Sequence, residues 1–306
     1  MCTIASNRSG TSGVFAASTP QCESRKRSRL RALSLSAAGL LLAIGLAGCE
    51  GNGLTEGAQR SRIVETETAG EATAVNIQSL TDFVRRNPRD PQGYNTRGAA
   101  YAKIGRFQEA IADFTKAIQL DPYHASAFTN RGLAYRQLRR DPQALADFTR
   151  AIQVNPKQTS AYIARANLLR FQGNLDAAMA DLTEAIRITP ESAQAFHARG
   201  LIYQRRGDHN RAIKDFDNAI DRNPFVGAPY EARGQSFTII GRYDAAIEDF
   251  NAALNVRNRN SNAWAGLGLA YERKGNRSKA MESYNRALIV DPNNQLASSG
   301  LRRVGG

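Results

Sequence analysis

From Pro91 onward one phrase of 34 residues is written six times with no insertion between copies. With Pro91 as position 1, position 4 is Tyr94, Phe128, Tyr162, Phe196, Tyr230 and Trp264. Position 8 is Gly98, Gly132, Ala166, Gly200, Gly234 and Gly268, and position 24 is Phe114, Phe148, Leu182, Phe216, Phe250 and Tyr284. Position 11 is aromatic except at Leu169, positions 20 and 27 are always Ala, and position 32 is Pro except at Asn258. A fixed period of this length marks an array. Each copy is one small unit that cannot bury its apolar face alone, so neighbours must stack.

The residue types say what that unit is. Small residues at positions 8, 20 and 27 let two helices approach closely, and the aromatics at 4, 11 and 24 fill the space beside them. The spacing predicts a first helix over about positions 1–14 and a second over 17–30. Gly105, Gly173, Gly207, Gly241 and Gly275 all occupy position 15, where a left-handed residue closes the first helix. The second copy has Arg139 there, followed by Asp141-Pro142, a suitable cap and first-turn pair.

The aromatic–Gly–Tyr–Ala–aromatic–Ala–Pro pattern resembles the tetratricopeptide (TPR) repeat. The resemblance implies an all-α fold, a right-handed solenoid of six 34-residue helix-turn-helix repeats between terminal capping helices. It covers about residues 91–292 and brings a fold without a partner.

The rest of the chain divides around this array. Residues 1–48 are an N-terminal extension and export signal: RKRSRLR precedes an apolar run, Ala32–Ala47, too short for a confident membrane span. The run ends in Leu46-Ala47-Gly48-Cys49, which resembles a bacterial lipobox. That resemblance implies cleavage before Cys49, lipidation of its sulfur (palmitate-type chains) and a membrane anchor worth about 0.8 kcal/mol per buried methylene. An ordinary signal peptide with an incidental Cys is the plainer alternative. Residues 1–24 are longer than such a signal needs. Glu50 departs from the Asp that retains lipoproteins in the inner membrane, so an outer-membrane, periplasm-facing location in a bacterial cell envelope is favoured.

Residues 49–73 are rich in Gly, Thr and Glu and predict a flexible tether of roughly 25–30 Å end to end. Val75, Ile77, Leu80, Phe83 and Val84 then recur at helical spacing, predicting a capping helix within 74–90. Residues 293–306 predict a solvating C-terminal helix capped by Asn294. These terminal helices also offer a surface for homodimerisation.

Charge narrows the function. The chain carries 41 basic and 28 acidic residues, net +13, but residues 1–48 hold six basic residues and one acid. The remaining +8 is no nucleic-acid footprint, and export disfavours a nucleic-acid partner further. Within the copies, position 7 is Arg97, Arg131, Arg165, Arg199 and Arg233, and position 23 is Asp113, Asp147, Asp181, Asp215 and Asp249. The sixth copy replaces both, with Leu267 and Ser283. Charges that vanish together predict an ion pair joining the two helices of each of the first five repeats, worth about 0–1 kcal/mol if exposed.

In TPR arrays the first helices line a concave groove through positions 2, 5, 6, 9, 12 and 13. Mapped here, that wall carries Leu133, Asn167, Leu201 and Leu269 at position 9. Lys103, Arg136, Arg170, Arg205 and Arg273 stand at positions 12 and 13, with Phe171 and Ile239 beside them and Glu272 as the acidic exception. A basic strip between apolar patches suits an acidic peptide or protein partner, Arg gripping carboxylates bidentately. The plainer alternative is a solvated face whose leucines complete helix packing. The C-terminal-carboxylate clamp of chaperone-binding TPR domains is absent: position 5 has no Lys, and Asn130 and Asn167 are isolated matches.

No catalytic constellation is present. His124, His197 and His209 make no metal-ligand pair, and Gly266-Leu267-Gly268 lies inside a predicted helix. No cofactor and no metal are expected. The resulting expectation is a non-catalytic scaffold of the envelope in cell-wall remodelling. An assembly factor for pilus or secretion machinery is the alternative, and a cell-wall glycan binder or an undetected enzyme is the alternative from another class.

Overall fold

The computed structural model describes residues 76–306, and all of the regular structure there is helical. The signal sequence, Cys49, the tether and the first residues of the N-terminal capping helix lie outside the described residues. Helix α1 is described over 76–86. Six helix pairs follow: α2 (Pro91–Lys103) and α3 (Phe107–Leu120), α4 (Ala125–Gln137) and α5 (Asp141–Val154), α6 (Thr159–Phe171) and α7 (Leu175–Ile188), α8 (Ala193–Arg205) and α9 (His209–Arg222), α10 (Gly227–Ile239) and α11 (Tyr243–Val256), α12 (Ser261–Arg273) and α13 (Arg277–Val290). The last helix, α14 (Gln295–Gly305), packs on α12 and α13.

Turn chemistry sets the helix ends. The five position-15 glycines have φ between +76° and +86°. Arg139 adopts φ +59° at the same place, so the second repeat accepts a strained non-Gly residue rather than a different turn. Asp141 is not a cap. Helix α5 begins at Asp141 itself, with Pro142 in its first turn, and Arg140 precedes it without a side-chain cap bond. Asn174, Asp208, Asn276 and Asn294 do cap α7, α9, α13 and α14 through side-chain acceptors.

The core is a row of rings between helices. Phe114, Phe148, Phe216, Phe250 and Tyr284 are fully buried, as are the alanines at positions 20 and 27. Four of these rings lie where a Cβ at position 8 would stand: a methyl on Gly98, Gly132, Gly200 or Gly268 would come within 2.6–2.8 Å of its ring, while one on Gly234 would lie 3.2 Å from Phe250. The third repeat has Ala166 and, correspondingly, the narrower Leu182. Position 8 is therefore small because position 24 is wide.

The ion pairs form in all five predicted repeats. In each, the Arg guanidinium donates through Nε and Nη2 to both carboxylate oxygens of its Asp, at 2.7–2.9 Å. The pairs are not exposed: the Asp side chains are only 5–9% exposed, so the 0–1 kcal/mol of a surface pair does not apply. The Asp hydrogen bond raises the pKa of Arg97, Arg131, Arg165 and Arg199 above the ordinary value, despite burial. Some arginines also reach back one repeat. Arg131 donates to Thr115 at 3.1 Å, Arg165 to Thr149 at 3.2 Å and Arg233 to Asp217 at 2.5 Å. The guanidinium also stacks on flanking rings, Arg131 lying 5.7 Å from the Phe128 ring centre and 5.9 Å from that of Tyr135. In the sixth repeat Leu267 is buried in the same place and Ser283 bonds back to the Lys279 carbonyl.

Neighbour packing gives the array its bend. Each second helix packs on its own first helix and on the first helix of the next repeat. First helices touch the next first helix all along the array, whereas no second helix touches another among the described residues. The first-helix side is therefore the short, inner side.

Candidate functional site

Helices α2, α4, α6, α8, α10 and α12 form the inner wall, and their C-terminal halves carry the predicted groove residues. Four of those, Arg136, Asn167, Arg170 and Phe171, meet in one cavity. Asn167, Arg170 and Phe171 from α6 face Arg136 at the end of α4 and Arg139 in the following turn, around a space of about 470 Å³. Asp141 is the one acid on its lining. Phe171 is 69% exposed, with the Arg139 guanidinium 5.9 Å from its ring centre.

Arg170 is an unusual cation. Its Nε is buried with no hydrogen-bond partner, and it makes no ion pair among the described residues. Arg205 lies beside it, donating to the Arg170 carbonyl at 2.7 Å. Burial, and secondarily the charge of Arg205, lower the Arg170 pKa from its ordinary value. His197 faces the same charge from α8: burial, then Arg170, push its pKa down to about 4, so this imidazole is neutral at pH 7. A ring 5.9 Å away, that of Phe216, is its apolar neighbour.

The other predicted residues separate into two groups. Lys103 and Leu133 line a smaller cavity of about 350 Å³ between α2 and α4. Leu269 lines a third, about 320 Å³, with Gln235 and Ile239 of α10 and Leu296 of α14. Leu201 packs on the core around Phe216, and Leu133 on that around Phe148, so these leucines also complete helix packing. Arg273 lines none of these three cavities. Glu272 is no free groove acid. It accepts two hydrogen bonds from Arg303 of α14, at 2.7 and 2.9 Å, and one from the buried Tyr284 hydroxyl at 2.5 Å. Asn130 is likewise engaged, donating to Asn95 at 3.0 Å.

Sequence reasoning passed over Arg139 and Leu296 as groove residues. Position 15 reads as a turn, and α14 lies outside the six copies. The exposure of Leu296 and Ile239, 40% and 64%, is visible only in the fold. Among the described residues no cluster of His, Cys, Asp and Glu can hold a metal, and no helix is long and apolar enough to cross a membrane. The cavities are open and are lined by cations, amides and aliphatic side chains.

Family models agree with this architecture. "Tetratricopeptide repeat" models match residues 91–124, 125–158, 193–225 and 261–294, and a "TPR repeat" model matches 166–207 and 234–275. A 44-residue stretch is 39% identical to Hsp70-Hsp90 organizing protein 2 of Arabidopsis thaliana, which is 14% of this chain and 8% of that protein. Among solved structures, the APC/C Cut9–Hcn1 hetero-tetramer superposes with TM-score 0.67 at 22% identity, over 74% of this chain and 45% of that one. PilF of Pseudomonas aeruginosa superposes with TM-score 0.64 at 15% identity, over 71% and 99%. This chain thus spans under half the length of the first two, and identities this low show the fold alone. The four single-repeat matches each begin at position 1 of a copy, the other two begin at position 8, and together they leave only 159–165 and 226–233 of the array uncovered. TPR domains bind peptide or protein partners, and this chain belongs to the tetratricopeptide-repeat family.

Proposed function

We propose that this protein is a non-catalytic scaffold that recruits a protein partner through the inner wall of its first helices. The observation that carries this reading is the unpaired Arg170 beside Arg136 and Arg205, on a wall that also exposes Phe171 and Ile239. Cations without counter-charges and apolar groups left in water are the surface features a partner segment can satisfy. The many charges of the array interior are, by contrast, already spent on one another. Neutral His197 and tied Glu272 supply no acid–base pair, so the site holds and positions.

The cell-envelope setting belongs to the same proposal. Lipid on Cys49 anchors the chain, residues 50–73 give it reach, and the groove collects a partner at the membrane surface. Glu50 favours the outer membrane. Control of cell-wall remodelling is the role we favour. Assembly of pilus machinery is the second reading, and the fold shared with PilF is compatible with it. Two measurements test the proposal. Mass spectrometry of the mature N-terminus reads the lipid, and Cys49→Ala releases the chain from membranes if the anchor is real. Crosslinked affinity purification from envelopes compares wild type with a variant in which Arg136, Arg170 and Arg205 are all Glu. Loss of one specific partner supports the groove, and retention of every partner refutes it.

A further inference from the structure

Two cavities on the inner wall differ in chemistry. The cavity between α4 and α6 is lined by three arginines, one acid and Asn167, while the one between α10 and α12 has no charged residue on its lining. Resting on the groove reading, we propose that the partner is an extended acidic–aliphatic peptide of fixed polarity. A carboxylate sits on Arg136, Asn167 and Arg170, and an aliphatic side chain sits between Ile239, Leu269 and Leu296.

The first half of this follows from Arg170. A guanidinium whose Nε is buried without a partner, with a second arginine against its backbone carbonyl, is partly desolvated and has no counter-charge bound to it among the described residues. A carboxylate supplies the missing charge and two acceptor oxygens, which match the free edges of Arg136 and Arg170, and Asn167 adds an amide donor. The charged neighbours are accounted for. Arg139 is stacked on Phe171, Asp141 is the one competing acid on the lining, and His197 adds no charge near neutrality. A helix face with isolated aliphatic groups in water accounts for the second half. Ile239 and Leu296 project from α10 and α14 around Leu269 and offer a dry seat to one branched side chain.

The spacing follows from the fold. The α4–α6 and α10–α12 cavities are three first-helix steps apart. At about 8–10 Å per step and about 3.3 Å per extended residue, acid and aliphatic anchors stand roughly eight residues apart.

The test is a selection of phage-displayed random peptides of about 16 residues, twice that spacing, on the full chain in detergent micelles. The expected consensus pairs Asp or Glu with Leu, Ile or Val about six to ten residues away, in one chain direction only. The synthetic consensus peptide then binds Arg170→Gln about tenfold more weakly than wild type. Changing its acid to the amide has the same effect on wild type and no further effect on R170Q. Ile239→Gln weakens binding without altering the loss from the acid. Circular dichroism establishes that each variant folds, with Arg136→Gln replacing R170Q if that one does not. A consensus without an acid, equal affinity for R170Q, or binding in both chain directions overturns the inference and leaves the groove standing. Failure to enrich any peptide over the bare matrix overturns the groove reading as well.

Discussion

Gly132→Ala adds one methyl group to the face of α4, and the structure says where it goes. The new Cβ would lie 2.6 Å from Phe148 Cε1, 2.8 Å from Cδ1 and 3.2 Å from the Ala144 carbonyl oxygen. Carbon atoms rest about 3.5–4.0 Å apart, so ring and helix must separate by roughly 1 Å. Overpacking of this kind costs about 1–3 kcal/mol. Replacing a mid-helix Gly by Ala returns about 1 kcal/mol in backbone entropy, so the net loss is about 0–2 kcal/mol. The third repeat contains the compensated arrangement, Ala166 with Leu182, both fully buried. Phe148→Leu alone leaves a void and destabilises by about 1–2 kcal/mol. In the double variant the alanine methyl occupies that void, and the two changes couple favourably by about 1–2 kcal/mol. Repeat arrays unfold piecewise, so the proper assay is hydrogen exchange of the α4 and α5 amides alongside urea unfolding. Additive losses in the double variant, or a Gly132→Ala protein more stable than wild type, would refute the claim that ring width sets residue size at position 8.

Other perturbations test separate parts of the account. Arg131→Ala leaves Asp147 buried without its partner and should destabilise by about 3 kcal/mol, whereas the Arg131→Leu, Asp147→Ser pair, copied from the sixth repeat, should fall within about 1 kcal/mol of wild type; thermal melts of both variants decide. Arg139→Gly relieves a left-handed Arg at the expense of its stacking on Phe171, and should raise stability by about 1 kcal/mol in urea unfolding. The folded-state pKa of His197 is about 4 against 6.5 when free, so the unfolded chain binds more protons between those values. Stability contributed there is complete above about pH 6.5 and fades as pH falls toward 4, by about 1–3 kcal/mol in all. A pH series of melts should show this slope reduced in His197→Gln.

The repeat period made most of the fold legible, because a period in phase fixes helix pairs and faces together. The Arg–Asp ladder was readable from the joint loss at Leu267 and Ser283. Its burial was not, since the Asp side chains are covered only once the two helices of a repeat and their neighbours pack, and the pattern of charges within one copy does not show that. The left-handed Arg139 escaped notice because Asp141-Pro142 offered a plausible but different turn. Glu272 read as a groove acid because its partner Arg303 lies beyond the last copy, in a helix that no internal comparison covers. Of the groove residues, Arg136, Asn167, Arg170 and Phe171 do share one cavity. The periodic leucines were ambiguous for a physical reason: position 9 lies on the boundary between groove and core, and Leu133 and Leu201 serve both.

Photocrosslinking tests the groove most directly. A benzophenone side chain is placed singly at Phe171, Gln235 and Ile239 on the inner wall, and at Lys116, Arg150 and Lys214 on exposed second-helix sites. Irradiation of intact envelopes should give one shared adduct from the inner three positions and none from the outer three. The same adduct from the outer sites, with none from the inner wall, would contradict the assignment of the first helices as the binding face.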